Sequence, residues 1–172
     1  AITGSNGSGK STLLQVIAGA TLHSEGSLEY RQNEKKIEPE SAFENISIAA
    51  PYLDLVEEMT ATEMLQFHSG FKTLVKPIPE ILEFVGLQNA ANKQIRYYSS
   101  GMKQRLKLAQ AFFSHTSLLL LDEPTTNLDA DGVALYRKLI SDHTSNRLVI
   151  VSSNDKMEYD FCNEVVSIME YK

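Results

Sequence analysis

Gly4-Ser5-Asn6-Gly7-Ser8-Gly9-Lys10-Ser11 is the stretch that decides how this chain is read. Its spacing is G-x-x-x-x-G-K-S. Glycines let the backbone wrap closely, so that successive N–H groups point at phosphate oxygens. Upstream, Ala1-Ile2-Thr3 has the texture of the tail of a buried strand. Downstream, Ser11 to Ala18 puts Leu13, Leu14, Ile17 and Ala18 on one helical face, and Gly19 ends that helix. A helix start adds a positive end to the loop. In that setting Lys10 reaches the outer phosphates of a nucleotide and the Ser11 hydroxyl serves Mg²⁺. A glycine-rich surface loop with a chance lysine is the plainer reading, and it explains neither flank.

The second half of such a site follows much later. Leu118-Leu119-Leu120-Leu121-Asp122-Glu123 is an apolar strand that delivers two acids together at its C-terminal edge, where ligands bind in open α/β sheets. Asp122 suits the Mg²⁺ side, acting through a water, and Glu123 suits a base that polarises an attacking water. Alone, the two acids would read as solvated groups at a strand end.

The intervening texture sets the architecture. Gly26 to Tyr30 turns into a short strand, and Arg31 to Ser41 is polar, a hairpin turn plus loop. Ile46-Ser47-Ile48-Ala49 alternates like a strand and stops at Pro51. Thr60 and Glu63 form a capping box ahead of Met64, Leu65 and Phe67, and Pro79 to Val85 is a short helix ended by Gly86. Met102, Leu106, Ala109 and Phe113 make one helical stripe. Helix Val133–Ile140 and strands Leu148–Val151 and Val165–Met169 complete the pattern. Apolar strands alternating with helices predict an α/β fold, a largely parallel sheet covered on both faces.

Composition narrows the classes. The 172 residues suffice for one domain with a full core. Acids outnumber bases 22 to 16, for a net charge of -6, which argues against a nucleic-acid coat or a polybasic membrane anchor. No segment approaches the roughly 18 apolar residues of a membrane span. A single cysteine, Cys162, cannot form an intramolecular disulfide and fits a reducing compartment. Glycines crowd the first nine residues and no Met opens the chain, so the reading expects an N-terminally truncated piece.

A phosphate loop with a Mg²⁺ acid is shared by kinases, GTPases, motors and transport ATPases. Tyr98-Ser99-Ser100-Gly101-Met102-Lys103-Gln104-Arg105 narrows the field. Small hydroxyl and glycine residues at a helix start make a second anion site, although such a run is more often an ordinary N-cap.

Gly4–Ser11, Tyr98–Arg105, Leu118–Pro124 and Thr126-Asn127-Leu128-Asp129, in this order, resemble the ATP-binding-cassette (ABC) ATPases across essentially the whole chain. There they are the Walker A loop, signature motif, Walker B strand and D-loop. The resemblance implies a P-loop NTPase fold with an inserted α-helical subdomain. It divides a single domain, 1–172, into a nucleotide-binding core (1–56 and 106–172) and a helical subdomain (57–105). It implies that Gly4, Ser5, Asn6, Gly7, Ser8, Gly9, Lys10, Ser11 and Thr12 hold ATP, that Ser11 and Asp122 hold Mg²⁺, and that Lys10 and Glu123 are catalytic. Ser99 and Gly101 would touch the γ-phosphate held by a partner domain, and Asp129 would join the contact across that dimer. Homo- or heterodimers would power a transmembrane transporter subunit from the cytoplasmic face of the membrane. No nucleic acid is expected.

Three positions depart from the family pattern. The signature, usually Leu-Ser-Gly-Gly-Gln, keeps Ser99 and Gly101 but has Met102 at its end. Pro51 stands where the Q-loop glutamine belongs and offers neither a side-chain oxygen nor an N–H. Asn154 replaces the switch histidine; it can still hydrogen-bond a γ-phosphate but cannot become a cation. These departures motivate a competing reading, a nucleotide-binding switch with impaired hydrolysis. Another is a non-transport relative, ribosome- or chromosome-associated. The 95 positions between Gly4 and Ser99, without a heptad array, leave no room for the long coiled coil of the chromosomal type.

Overall fold

Strand-forming runs in the sequence pair into a parallel sheet in the computed structural model, which describes residues 1–171. In chain order, β1 (Ile2–Thr3) is followed by an antiparallel hairpin of β2 (Tyr30–Gln32) and β3 (Lys35–Ile37). Then come β4 (Ile46–Ala49), β5 (Leu118–Asp122), β6 (Leu148–Ser152) and β7 (Val166–Ser167). The main sheet runs β4-β5-β6-β1-β7, with every pairing parallel. The expected α/β P-loop architecture is what the chain adopts.

Alternation along β5 assigns the two faces. Leu119 and Leu121 point into the larger core, with Ala49, Val151, Leu106, Ala109, Phe112 and Leu139. Leu120 points the other way, into a smaller cluster with Ile2, Leu14, Ala42 and Ile46. The larger core is covered by α3 (Ala61–Ser69), α4 (Ile78–Phe84), α5 (Ser100–Phe112) and α6 (Ala130–His143). The smaller is covered by α1 (Lys10–Ile17) and α2 (Pro39–Ala42). Leu13, expected on the buried face of α1, is 37% exposed, while Leu14, Ile17 and Ala18 pack into the smaller cluster.

Caps set the helix ends. Thr60 and Glu63 close both arms of the predicted capping box at α3. Gly19 and Gly86 take positive φ just after α1 and α4. The sequence places α6 at Val133–Ile140; it starts three residues earlier because the Asp129 side chain caps it by accepting from the Gly132 amide at 2.8 Å. The hairpin turn is Asn33-Glu34, both at positive φ, as a tight two-residue connection demands. The loop expected up to Ser41 instead contains α2, opened by Pro39 at its first position.

The last expected strand, Val165–Met169, is shorter. It pairs only over Val166–Ser167 and then tightens into a 3₁₀ turn, Ile168–Tyr171. The turn folds Ile168 back against Gly4, where a strand would have carried it away.

Arg147 fastens the sheet to α5. Its guanidinium donates to the Phe112 carbonyl at 2.9 Å and the Ser47 hydroxyl at 2.7 Å, and also to Thr116 and the Ala111 carbonyl. Truncating it removes the side-chain donor to the Phe112 carbonyl and leaves Ser47, Thr116 and Ala111 with only the bonds they make to one another. Arg147→Ala is expected to lower the unfolding free energy by about 2–3 kcal/mol, measured by denaturant titration.

Candidate functional site

Parallel strands end at one edge, so their loops meet there. β5, β6 and β1 are spatial neighbours, and they deliver in turn the acid turn Asp122-Glu123, Asn154 and the phosphate loop. β4, outside β5, delivers Pro51 and Tyr52 to the same edge. Four segments that the sequence scatters over some 150 positions are brought together this way.

The loop has the shape its glycines permit. Gly4, Gly7 and Gly9 lie at φ 149, 75 and 98, a region costly for any side chain. The Ser8 amide donates to the Ser5 carbonyl at 3.0 Å, which tightens the turn. The amides of Gly7, Gly9, Lys10 and Ser11 have no acceptor among the described residues, so the loop and the start of α1 present free N–H donors. Lys10 is buried, and its ammonium lies across the loop, donating to the carbonyls of Gly4 at 2.7 Å and Ser5 at 3.2 Å. Thr12 is exposed one residue beyond Ser11.

Asn154 is joined to this loop. Its Oδ1 accepts from the Gly4 amide at 3.1 Å, and its Nδ2 donates to Asn6 Oδ1 at 3.2 Å. One amide side chain thus uses both its ends on the phosphate loop.

The acid turn is held from beneath. Asp122 pairs in register with Ser152 and is 2% exposed, yet its Oδ1 has no hydrogen-bond partner. The buried hydroxyls of Ser8 and Ser152 also lack partners. Buried polar atoms are seldom left unpaired, so an orphaned carboxylate oxygen beside free amides fits a hydrated divalent cation with a phosphate group. Ser11 lies in the first turn of α1 and Asp122 ends β5 at this same edge. Glu123 is exposed and sits at φ 42, a left-handed conformation costing about 1–3 kcal/mol for a residue with a Cβ. Its amide donates to the Ser152 carbonyl at 2.9 Å.

Ser99 and Gly101 lie at the start of α5. The Ser99 hydroxyl caps the helix by accepting from the Met102 amide at 3.2 Å. Gly101 packs so closely that a Cβ would stand 3.1 Å from the Asn127 carbonyl. No hydrogen bond joins Ser99 or Gly101 to the phosphate loop among the described residues. Arg105 of α5 pairs with Asp129 at 3.1 Å, and the Gly132 amide, then Arg105, hold that carboxyl below its usual range.

Three further residues of the site escaped the sequence. Buried Gln104 donates to the Pro124 carbonyl at 2.8 Å. Glu158 accepts from Thr125. Tyr52, beside Pro51, has a phenol whose pKa is raised by burial first and by the Asp122 charge next. Gln104 lies inside the Tyr98–Arg105 run, but that run gives no sign of its Pro124 partner; Glu158 and Tyr52 belong to no local motif.

Comparison with known proteins bears on the same residues. The family model for "ABC transporter" matches residues 1–126. The uncharacterized ABC transporter ATP-binding protein YxlF of Bacillus subtilis (strain 168) is 42% identical over 137 residues, covering 77% of this chain and 45% of that protein. YdbJ of the same strain, another uncharacterized ABC transporter ATP-binding protein, is 30% identical over 174 residues, covering 98% of this chain and 56% of that one. The bacitracin transport ATP-binding protein BcrA of Bacillus licheniformis is 32% identical over 155 residues, covering 86% and 49%. The chain spans about half the length of these three curated relatives. Among solved structures, the ATP binding subunit of an ABC transporter aligns with TM-score 0.82 at 23% identity, covering 96% of this chain and 73% of that one. An ABC transporter ATP-binding protein from Pyrococcus furiosus aligns at 0.79 and 19%, covering 98% and 83%. At these identities the structural likeness speaks for the fold.

The loop leaves no room at its first glycine. A Cβ on Gly4 would stand 2.7 Å from Ile168 Cγ2 and 2.9 Å from Ser8 Oγ, at a φ that disfavours it as well. Gly4→Ala is therefore expected to lower the unfolding free energy by about 1–3 kcal/mol. The double variant Gly4→Ala/Ile168→Ala should recover part of that loss in thermal unfolding.

Proposed function

The chain belongs to the ABC transporter family, and from that premise we propose that it is the ATP-binding and hydrolysing subunit of an ABC transporter. The observation that carries the reading is the convergence of free loop amides, Lys10 and the orphaned Asp122 oxygen at one sheet edge. Names such as bacitracin transport ATP-binding protein, borne by a relative, support transport as the coupled work.

In this reading the amides of Gly7, Gly9, Lys10 and Ser11 donate to the β- and γ-phosphates of ATP, with Ser5, Asn6 and Ser8 lining the turn and Thr12 beyond it. Lys10 exchanges the Gly4 and Ser5 carbonyls for phosphate oxygens, which puts its charge where negative charge develops. Ser11 and Asp122 hold Mg²⁺, which when bound neutralises phosphate charge and polarises the phosphoryl group. Glu123, exposed at the lip of the site, takes up the proton of the attacking water. Asn154 sets the first turn of the loop through Gly4 and Asn6, and stays within reach of the γ-phosphate.

Ser99 and Gly101 make no hydrogen bond to the phosphate loop among the described residues. Their position supports a head-to-tail pair of ATPase domains, each offering its α5 start to the other's γ-phosphate. Arg105 and Asp129 keep that helix start next to the D-loop. We assign residues 57–105 to a helical subdomain facing a transmembrane partner. No helix among the described residues is long and apolar enough to cross a membrane; the family's transmembrane partner is what would hold the chain at the cytoplasmic face.

Turnover of Mg-ATP by the full chain, with and without its transmembrane partner, tests the reading. Glu123→Gln is expected to reduce kcat by about 100-fold or more while nucleotide binding persists. EDTA should abolish turnover. A Glu123→Gln variant as fast as the parent removes the base assignment. Nucleotide binding without turnover in the parent selects the switch reading that Pro51 and Asn154 motivate.

A further inference from the structure

We propose that Glu158 is a positioning residue for Glu123, a role that rests on the reading of Glu123 as the base. Glu158 lies in α7 (Lys156–Tyr159), a one-turn helix four positions beyond Asn154, and is 3% exposed. One of its oxygens, Oε1, accepts both from the Thr125 amide, at 2.7 Å, and from the Thr125 hydroxyl. Its main chain is anchored separately: the Tyr136 hydroxyl of α6 donates to the Glu158 carbonyl at 2.6 Å. No cation pairs with the carboxylate among the described residues. What the bonds to Thr125 require is a buried acceptor oxygen at this place, since a buried donor left without one is costly.

What it fastens is the turn that carries Glu123. That side chain makes no hydrogen bond among the described residues, so its direction is set by the backbone beneath it. The backbone there is strained, with Glu123 at φ 42 and Asn127 at φ 66. Such shapes persist only where neighbours over-determine them. On the upstream side the Glu123 amide is held by the Ser152 carbonyl at 2.9 Å. The Pro124 carbonyl is held by Gln104 at 2.8 Å. On the downstream side the anchor is Glu158, through Thr125. The turn then closes on itself, Thr126 amide to Glu123 carbonyl at 3.1 Å and Leu128 amide to Thr125 carbonyl at 3.0 Å.

The same short segment reaches the other half of the site. Asn154 holds Gly4 and Asn6, Ser152 receives the Glu123 amide, and Glu158 holds Thr125. Residues 152–158 therefore span the phosphate loop and the acid turn, and Glu158 is the end that governs the base.

Glu158→Gln keeps an oxygen that can accept both Thr125 bonds, whereas Glu158→Leu keeps only bulk. In the full chain with Mg-ATP, Glu158→Gln should hold kcat within about threefold of the parent, while Glu158→Leu should lower it about tenfold or more with KM within about twofold, as expected of a misplaced group. Amide hydrogen exchange at Thr125 should accelerate in the leucine variant and not in the glutamine one. A folded leucine variant with normal kcat, a loss confined to KM, or unaltered Thr125 exchange overturns the proposal. Should the leucine variant not fold, Thr125→Val removes the hydroxyl bond from the other side; a kcat lowered about threefold supports the proposal and an unchanged kcat overturns it. A parent chain that binds Mg-ATP without turning it over overturns the ATPase reading itself, whatever the Thr125 exchange shows.

Discussion

The pairing of β5 with β6 holds everything else in place. Five residues of each strand run side by side, from Leu118 opposite Leu148 to Asp122 opposite Ser152. Because the pairing is parallel, both strands finish at the same edge, and the acid turn emerges beside the segment that contains Asn154. A slip of one residue would send Leu119 and Leu121 out of the larger core and turn Asp122 to the opposite face.

From that pairing outward, polar groups are distributed unevenly. At the far end of the sheet Arg147 satisfies several acceptors at once. At the C-terminal edge, Asp122, Ser8 and Ser152 keep buried oxygens without partners, and the loop keeps free amides. Two further buried nitrogens without partners, His143 Nε2 and Arg147 Nε, lie away from that edge; the three oxygens at the edge are the ones that a charged ligand beside the free loop amides would complete. The strained φ of Glu123 belongs to the same pattern, since strain survives where surrounding bonds enforce it.

Asn154 illustrates how a substitution at a motif position changes the physical problem. An imidazole there could carry a proton; the amide cannot, but it has both a donor and an acceptor, and both are engaged with the loop at Asn6 and Gly4. Tyr52 does something comparable beside Pro51. The proline contributes no polar side-chain group, and the neighbouring phenol has its pKa raised by burial first and by the Asp122 charge next.

The glycine spacing, the leucine strand ending in two acids, the capping box and the alternation of strands with helices were legible in the sequence because each is a local pattern within one or two turns of chain. Together they define a parallel α/β fold with a phosphate loop, and they name Lys10, Ser11, Asp122 and Glu123. The lengths of α6 and β7 were not legible, because a cap at Asp129 and the packing of Ile168 on Gly4 decide them. Nor were Gln104 and Glu158, which lie 20 positions before Pro124 and 33 after Thr125. Only the folded chain decides which distant side chain supports which turn, because burial assigns those bonds. A local pattern specifies where a backbone bends; tertiary packing specifies what keeps it bent.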